Sequence, residues 1–198
     1  MSVNLAKGQR ISLAKSDATP LIRVRMGLGW QAAQRKGFLG KLIGPREIDL
    51  DASAVLYSGR EVLEVVYFAS LVSAYGAVRH SGDNRTGGDG PGDDGPGDDE
   101  SIIVDFTRVP PEVDQIVFTV NSFTGVTFDE VENAYCRLVD DTTGGELARY
   151  TLSGGGSHTA QIMAKVVRLR EGWQLAAIGE PASGETFQSL LPAIDRYL

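Results

Sequence analysis

The segment "TAQIMAKVVRLREGWQLAAIG", residues 159–179, sets the expectation for the whole chain. Its first part, 159–170, and its last part, 172–179, are short runs rich in valine, isoleucine and leucine with polar residues between them. The turn-forming "REG" separates the two runs. Short runs of this composition, bounded by turn residues, indicate β-strands rather than helices. The segment therefore predicts two strands joined by a tight turn.

The same pattern extends outward over most of the chain. Further strand-like runs are "LIRVRMG" (21–27), "VLEVVYF" (62–68), "SIIVDF" (101–106), "DQIVFTV" (114–120), "AYCRLVD" (134–140) and "ELARYTL" (146–152). Turn residues separate most of them, as in "VPPEVD", "DDTTGG" and "SGGGS". Many short strands at this spacing predict an all-β protein, a β-sandwich of short, mostly antiparallel strands.

Two segments predict short helices. "TFDEVENA", 127–134, begins with the candidate N-cap Thr127 and has Glu130 at the third helical position, which is a capping-box pattern. "FQSLLPAIDRYL", 187–198, has helical apolar spacing that Pro192 interrupts. Strands of one kind lie on both sides of residues 81–100. We therefore expect a long acidic Gly/Asp loop within a single domain, 1–198.

Charge is distributed unevenly along the sequence. The chain has 26 acidic and 19 basic residues and a net charge of −7. Seven of the acids lie between residues 83 and 100, where Arg85 is the only base. A concentrated negative charge attracts cations and repels the phosphates of nucleic acid. We therefore expect cations as partners and no nucleic acid.

The sequence also indicates the cellular compartment. The start, "MSVNLAKGQR", has no apolar run of the signal-peptide kind, and no window approaches 18 apolar residues. We expect a cytoplasmic protein with no membrane insertion. Cys136 is the single cysteine, so an internal disulfide is impossible. It lies within a strand pattern, and we expect it to be buried and inert.

The stretch "SGDNRTGGDGPGDDGPGDDES", residues 81–101, is the most unusual part of the sequence. It repeats DGPGD at 89–93 and 94–98, and it contains too few apolar residues to build a core. Its glycines allow sharp turns that present backbone carbonyls beside the carboxylates. Two interpretations follow from composition alone: a solvated acidic loop, or a cage for a hard cation.

A second acidic segment, "IDLDASA", occupies residues 48–54. In a strand, alternate side chains share a face, so Asp49, Asp51 and Ser53 would lie together while the apolar residues face inward. Carboxylates two residues apart start from positions about 6.6–6.8 Å apart, and flexible side chains can converge from there on one Ca²⁺ ion. The alternative is a polar strand face without a ligand.

The ligand types restrict which metal would fit. Carboxylate and carbonyl oxygens suit Ca²⁺, whereas Mg²⁺ demands a stricter octahedron and retains more water. Zinc and copper prefer histidine or cysteine. The two histidines, His80 and His158, are far apart in sequence, and we interpret both as structural or surface residues. From the residues alone, a calcium cage and a disordered acidic loop remain equally open.

Read together, these segments resemble the TerD family of bacterial tellurium-resistance and general stress proteins. The resemblance covers nearly the whole chain. Its pieces are "LAKGQRISLAK" (5–15), "VRMGLGW" (24–30), "DLDASA" (49–54), "HSGDNRTG" (80–87), "GDDE" (97–100), "VPPEVDQIVFTV" (109–120), "FDEVENAYCRLVD" (128–140), "ELARYTLS" (146–153) and "WQLAAIGE" (173–180). The order DLDASA, GDNRTG, GDDE is the specific part.

The resemblance implies a β-sandwich that binds Ca²⁺ and acts in resistance to tellurite and other stresses, with other stress-response proteins as candidate partners. The implied metal ligands are Asp49 and Asp51 of DLD, Asp83 and Asn84 of GDN, and Asp98, Asp99 and Glu100 of GDDE. A family helix motif ending in asparagine matches at Asn133. Two features depart from the family pattern. Many members have an asparagine or glutamine after the aromatic pair in the strand before the loop, whereas this sequence reads Tyr67, Phe68, Ala69, Ser70. The loop between Thr86 and Gly97 is also longer, through the duplicated DGPGD.

Three functions are compatible with an acidic cluster of this kind. The first is a non-enzymatic Ca²⁺-binding module of a stress response. The second is a metal-dependent phosphoester hydrolase. Against it, no nucleophile with an adjacent base is visible, and no lysine or arginine is interleaved with the cluster to hold phosphate. The third is a nucleotide-binding module, which the acidic loop disfavours unless a metal bridges. We expect the first.

Overall fold

The strands form two layered sheets. The computed structural model describes residues 3–14, 20–32, 48–87 and 97–198. Within these ranges the strands are β1 Val3–Asn4, β2 Arg10–Ser12, β3 Arg23–Ala32, β4 Leu50–Ser58, β5 Glu61–Val66, β6 Val78–His80, β7 Glu100–Asp105, β8 Gln115–Ser122, β9 Val131–Asp140, β10 Gly145–Thr151, β11 Ala160–Leu169 and β12 Gly172–Ala182.

Each sheet has six strands in the described part of the chain. Sheet I has the order β1-β10-β9-β3-β7-β6, and sheet II has the order β2-β12-β11-β8-β4-β5. Neighbouring strands run antiparallel, with the single exception, among the described pairs, of β1 beside β10. The predicted all-β sandwich is confirmed.

The hairpin of residues 159–179 lies inside sheet II. β11 and β12 pair antiparallel from Leu169↔Gly172 to Ala160↔Ala182, and β11 also pairs with β8. Gly172 has φ +98°, a conformation that residues with a Cβ rarely adopt, at the point where β12 leaves the turn. The tight turn predicted between residues 169 and 172 is therefore present.

The core lies between the two sheets. Alternate residues of β3 and β4 point into it, and with few exceptions the side chains that meet there are apolar and almost fully buried. From these two strands the core takes Val24, Met26, Leu28, Trp30, Leu50, Ala52, Ala54 and Leu56. Period-two alternation in the sequence thus gives each strand one face for this core.

A second, smaller apolar layer lies on the outer face of sheet II. Helix α1, Phe187–Ile194, packs there with Leu190 and Ile194 against β4, β8, β11 and β12. Pro192 lies inside this eight-residue helix, and the chain continues as a 3-10 turn, Asp195–Tyr197. The C-terminal helix prediction is confirmed. Among the described residues, no helix has the length and apolarity that a membrane span requires.

The predicted helix at 127–134 is wrong beyond its first turn. Only Phe128–Glu130 forms a 3-10 turn, and the chain is extended from Val131, where β9 begins. The local capping contact exists, because the Glu130 carboxylate accepts the Thr127 backbone N–H at 3.1 Å. Pairing of β9 with both β3 and β10 outweighs this local preference.

Asn133 therefore belongs to a strand and not to a helix end. The register between β3 and β9 shifts by one residue between Gly29↔Tyr135 and Gln31↔Glu132. Asn133 sits in this β-bulge with φ +51°, a left-handed conformation in which asparagine is enriched. Its side-chain amide donates to the Gln31 side-chain carbonyl at 2.6 Å, which fixes the bulge against β3.

Candidate metal centre

Three carboxylates from two separate segments meet at one point. Each of Asp49, Asp51 and Asp83 offers an oxygen that lies within 4.8 Å of the oxygens of the other two. Asp49 and Asp51 lie at the start of β4 and are 6% and 5% exposed, whereas Asp83, in the loop after β6, is exposed. The group, called here the carboxylate cluster, thus has a buried floor and a solvent-facing third member.

The electrostatics of the cluster are unfavourable without a cation. Burial, followed by the neighbouring carboxylates of Glu100, Asp49 and Asp83, raises the pKa of Asp51 from 3.8 to about 8. Like charges this close disfavour the ionised form, and a bound cation would reverse that preference. The donors are carboxylate oxygens, which fits a hard cation such as Ca²⁺.

Glu100 connects the two segments that supply the cluster. It begins β7 of sheet I and is 1% exposed. One carboxylate oxygen accepts the Ala52 backbone N–H of β4 at 2.8 Å, and the other accepts the Asn84 backbone N–H at 3.2 Å. Both oxygens thus hold backbone groups beside the cluster, and Glu100 fixes β4 and the loop 81–87 relative to each other.

His80 lies beside Glu100 along the edge of β4 at Ala52. Its Nδ1 accepts the Gly82 backbone N–H at 3.0 Å, so the proton of a neutral ring lies on Nε2. Nε2 is 3.2 Å from the Ala52 carbonyl oxygen and 3.3 Å from a Glu100 oxygen. β5 pairs with β4 only from Ala54 onward in the described register. At Ala52, the side chains of Glu100 and His80 contact the backbone N–H and the carbonyl oxygen, as a neighbouring strand would.

Asn84 organises the loop that carries Asp83. Its side-chain carbonyl accepts the backbone N–H groups of Thr86 and Gly87, each at 3.1 Å, which closes a tight turn. Gly87 has φ +64°, and a Cβ there would lie 2.4 Å from Nε1 of Trp30. The turn therefore packs directly on the indole ring, and only glycine fits at this contact.

Asp99 and Trp30 attach the far end of the acidic loop. One Asp99 oxygen accepts the Trp30 backbone N–H at 2.8 Å, and the other lies 3.5 Å from the Asn84 side-chain nitrogen. The Trp30 indole N–H donates to the Ile48 carbonyl at 2.9 Å, immediately before Asp49. Asp99 thus contacts the loop and β3 and is not among the three carboxylates of the cluster.

Asp98 has different neighbours from the other predicted ligands. Its two oxygens lie 2.6 Å from the guanidinium nitrogens of Arg25 and Arg137, on β3 and β9 of sheet I. Its side chain is 3% exposed, and a Cβ on Gly27 would come within 2.2 Å of its carboxyl carbon. Gly27 therefore makes room for a buried carboxylate that forms ion pairs with two arginines.

The seven predicted ligands thus fall into three groups. Asp49, Asp51 and Asp83 form the cluster, Asn84, Asp99 and Glu100 hold the segments around it, and Asp98 pairs with arginines. The duplicated part of the loop, with Asp89, Asp93 and Asp94, lies outside the described residues.

Two further side chains, which the sequence did not predict as ligands, lie beside the cluster and outside it. His80, which the sequence indicates as a structural or surface residue, is structural, because it lies buried against Glu100. Asn121 on β8 pairs directly with Asp51 and is fully buried. Its place could not be inferred, because only the register between β4 and β8 brings it there.

Comparison with known proteins agrees with this architecture. The TerD domain model matches residues 1–193. "Tellurium resistance protein TerZ" of Serratia marcescens is 44% identical over 191 residues, which cover 95% of this chain and 94% of that protein. "Stress response protein SCP2" of Bacillus subtilis is 35% identical over the full length of both chains.

The fold also matches a solved structure. A crystal structure of a homologue of telluride resistance protein TerD from Streptomyces coelicolor superposes with a TM-score of 0.68 at 20% identity, over 86% of this chain and 95% of that one. At this identity the match supports the fold alone. The extent of the domain match and the identity to the Serratia and Bacillus proteins establish that this chain belongs to the TerD family.

Proposed function

We propose that this protein is a non-enzymatic Ca²⁺-binding protein that acts in the cytoplasm in resistance to tellurite and related stress. The observation that carries the calcium part is the convergence of Asp49, Asp51 and Asp83 within 4.8 Å. The stress role is supported by the names of the relatives, which are tellurium-resistance and stress-response proteins.

The ligands of the proposed ion are the three carboxylates of the cluster. A cation held by carboxylates on β4 and in the loop 81–87 would join two segments that only the folded chain brings together. Glu100, Asn84 and Asp99 support the site by holding those segments in place. We assign Asp98 to the stability of sheet I rather than to the ion, because each of its oxygens already faces a guanidinium group.

Calcium titration of chelator-treated protein by calorimetry tests the proposal. We expect saturable binding in the wild type and a loss of affinity of at least tenfold in Asp51→Asn. Glu112→Gln is the matched control, because it removes one negative charge at an exposed loop position. Absence of calcium binding in the wild type, or equal losses in the two variants, would refute the proposed site.

The same preparation distinguishes binding from catalysis. A phosphoester panel with Mn²⁺ or Mg²⁺ would give turnover if the cluster were a hydrolase centre. We expect affinity without turnover, since the sequence shows no nucleophile with an adjacent base. Turnover that disappears in Asp51→Asn would favour the hydrolase instead, and nucleotide binding that requires the cation would favour the nucleotide-binding module.

A further inference from the structure

A small pocket adjoins the carboxylate cluster on the outer face of sheet II. Its volume is about 110 Å³, which is room for several water molecules. We call it the aromatic pocket; its lining residues are Asp51, Ser53, Tyr67, Phe68, Asn121, Thr186, Phe187 and Gln188. The floor comes from β4 and β8, and the rim comes from the segment after β5 and the start of α1.

The floor offers hydrogen-bond acceptors. Asp51 and Asn121 are directly paired across β4 and β8, so their side chains share the outer face. The Asn121 amide nitrogen donates to the Gly184 carbonyl at 3.2 Å, so the other branch of the same amide is the carbonyl oxygen. That oxygen is buried and has no hydrogen-bond partner among the described residues. An unsatisfied buried acceptor destabilises the fold, so a ligand that donates a hydrogen bond to it is favoured.

The rim offers aromatic rings. The ring centroids of Tyr67 and Phe187 are 5.0 Å apart, and those of Tyr67 and Phe68 are 5.3 Å apart. All three residues are only partly buried, so the pocket opens to solvent past their rings. Aromatic faces attract cations, and the described lining contains a carboxylate and no lysine or arginine.

We propose that the aromatic pocket binds a primary alkylammonium group. An ammonium has three N–H donors, which match the Asp51 carboxylate, the Ser53 hydroxyl and the orphan Asn121 carbonyl. Its alkyl stem would leave the pocket between the rings. An anion would meet Asp51, an apolar ligand would leave Asn121 unsatisfied, and a quaternary ammonium has no N–H to donate. The pocket and the cluster share Asp51, so the amine is titrated in the presence of a chelator, where no calcium ion competes for that carboxylate.

Titration with ethylammonium chloride, followed by two-dimensional amide NMR at constant ionic strength, tests this proposal. We expect saturable shifts at Asn121 and Phe187 that sodium chloride and tetramethylammonium chloride do not produce. Putrescine and Nα-acetyl-lysine methylamide serve as parallel probes, so that a free amine and a lysine side chain can be ranked as the natural source. Shifts that do not saturate, or equal shifts with sodium, would mean that the pocket holds only water and would overturn the proposal.

Two variants separate this pocket from the calcium site. Asn121→Leu should weaken ethylammonium binding at least tenfold and leave calcium affinity within about threefold, since Asn121 is outside the carboxylate cluster. Asp49→Asn should weaken calcium binding at least tenfold and leave ethylammonium affinity within about threefold, because Asp49 belongs to the cluster and does not line the pocket. Phe68→Leu keeps an apolar side chain but removes a ring face, and should cost about two- to fivefold in amine affinity. This variant lies at the rim and keeps the test available if Asn121→Leu folds poorly; unchanged amine affinity in Phe68→Leu and Asn121→Leu would overturn the assignment.

Discussion

The carboxylate of Glu100 accepts the backbone N–H of Ala52 at 2.8 Å, so a side chain from sheet I occupies the open edge of a strand in sheet II. Its second oxygen accepts the N–H of Asn84 from the loop that carries Asp83. The two segments that supply the carboxylate cluster are therefore held by one buried side chain. This arrangement links the stability of the fold directly to the geometry of the site.

We expect Glu100→Gln to destabilise the protein by about 1–3 kcal/mol, even though the change is nearly isosteric. Both carboxylate oxygens accept N–H groups, and an amide has only one oxygen, so its NH₂ would face a backbone donor. Urea unfolding in the presence of a chelator measures the loss. Glu112→Gln is the control, and equal midpoints for the two variants would show that the buried contacts contribute nothing.

We expect Asp51→Asn to change stability in opposite directions with and without calcium. In chelator the variant should be at least as stable as the wild type at pH 8, because it removes one of several crowded carboxylates. A ligand at 100 times its dissociation constant adds about 2.7 kcal/mol to a protein that binds it only when folded. Thermal melting with and without calcium should show this gain in the wild type and not in the variant. A variant that calcium stabilises as much as the wild type would contradict the site.

The calcium-free protein should lose stability as the pH rises from about 4 toward about 8. The pKa of Asp51 is raised from 3.8 to about 8 in the folded state, so in this window the folded chain retains a proton that the unfolded chain has released. Stability falls with pH wherever the folded state binds more protons. The Asp51 contribution is the difference between wild type and Asp51→Asn in urea midpoints across this window. A difference that stays constant with pH would contradict the shift.

The site should prefer Ca²⁺ to Mg²⁺ and to Zn²⁺. The cluster consists of carboxylates, and neither Cys136 nor His158 belongs to it. His80 lies nearby, but its Nδ1 already accepts a backbone N–H and its Nε2 faces the Ala52 carbonyl. Competition calorimetry should show calcium displacing magnesium. Zinc binding tighter than calcium would refute the hard-cation assignment.

The fold was predictable where each strand's pattern is local. The runs that became β3, β11 and β12 are rich in apolar and β-branched residues, and a turn separates β11 from β12, so their strand character does not depend on knowing their partners. The helix predicted over 127–134 is wrong because the interactions that decide its structure are not local. The capping contact of Thr127 with Glu130 is local and readable, whereas the pairing of β9 with β3 and β10 is not.

The site was predictable only as a set of segments. The motifs that contain Asp51, Asp83 and Glu100 do come together, but their separate roles depend on side-chain contacts between sheets. Asp98 and Asp99 are adjacent in sequence, yet they have different partners: Asp98 contacts two arginines, and Asp99 contacts the backbone of Trp30. No spacing rule in "GDDE" separates those roles, because the arginines come from β3 and β9.

Asp98→Asn should therefore reduce stability and spare calcium affinity. Asp98 is 3% exposed and lies 2.6 Å from the guanidinium groups of both Arg25 and Arg137, which are themselves partly exposed. Removing its charge leaves two neighbouring cations without their shared carboxylate, and since solvent screens part of that cost we expect a loss of about 1–3 kcal/mol. Urea unfolding in chelator measures the stability, and calcium titration of the folded variant measures the site. The expected calcium affinity is within about threefold of the wild type, because the cluster of Asp49, Asp51 and Asp83 is intact. An affinity loss as large as that of Asp51→Asn would show that Asp98 binds the ion after all, and the division of the acidic motif into a structural and a metal-binding part would then be wrong.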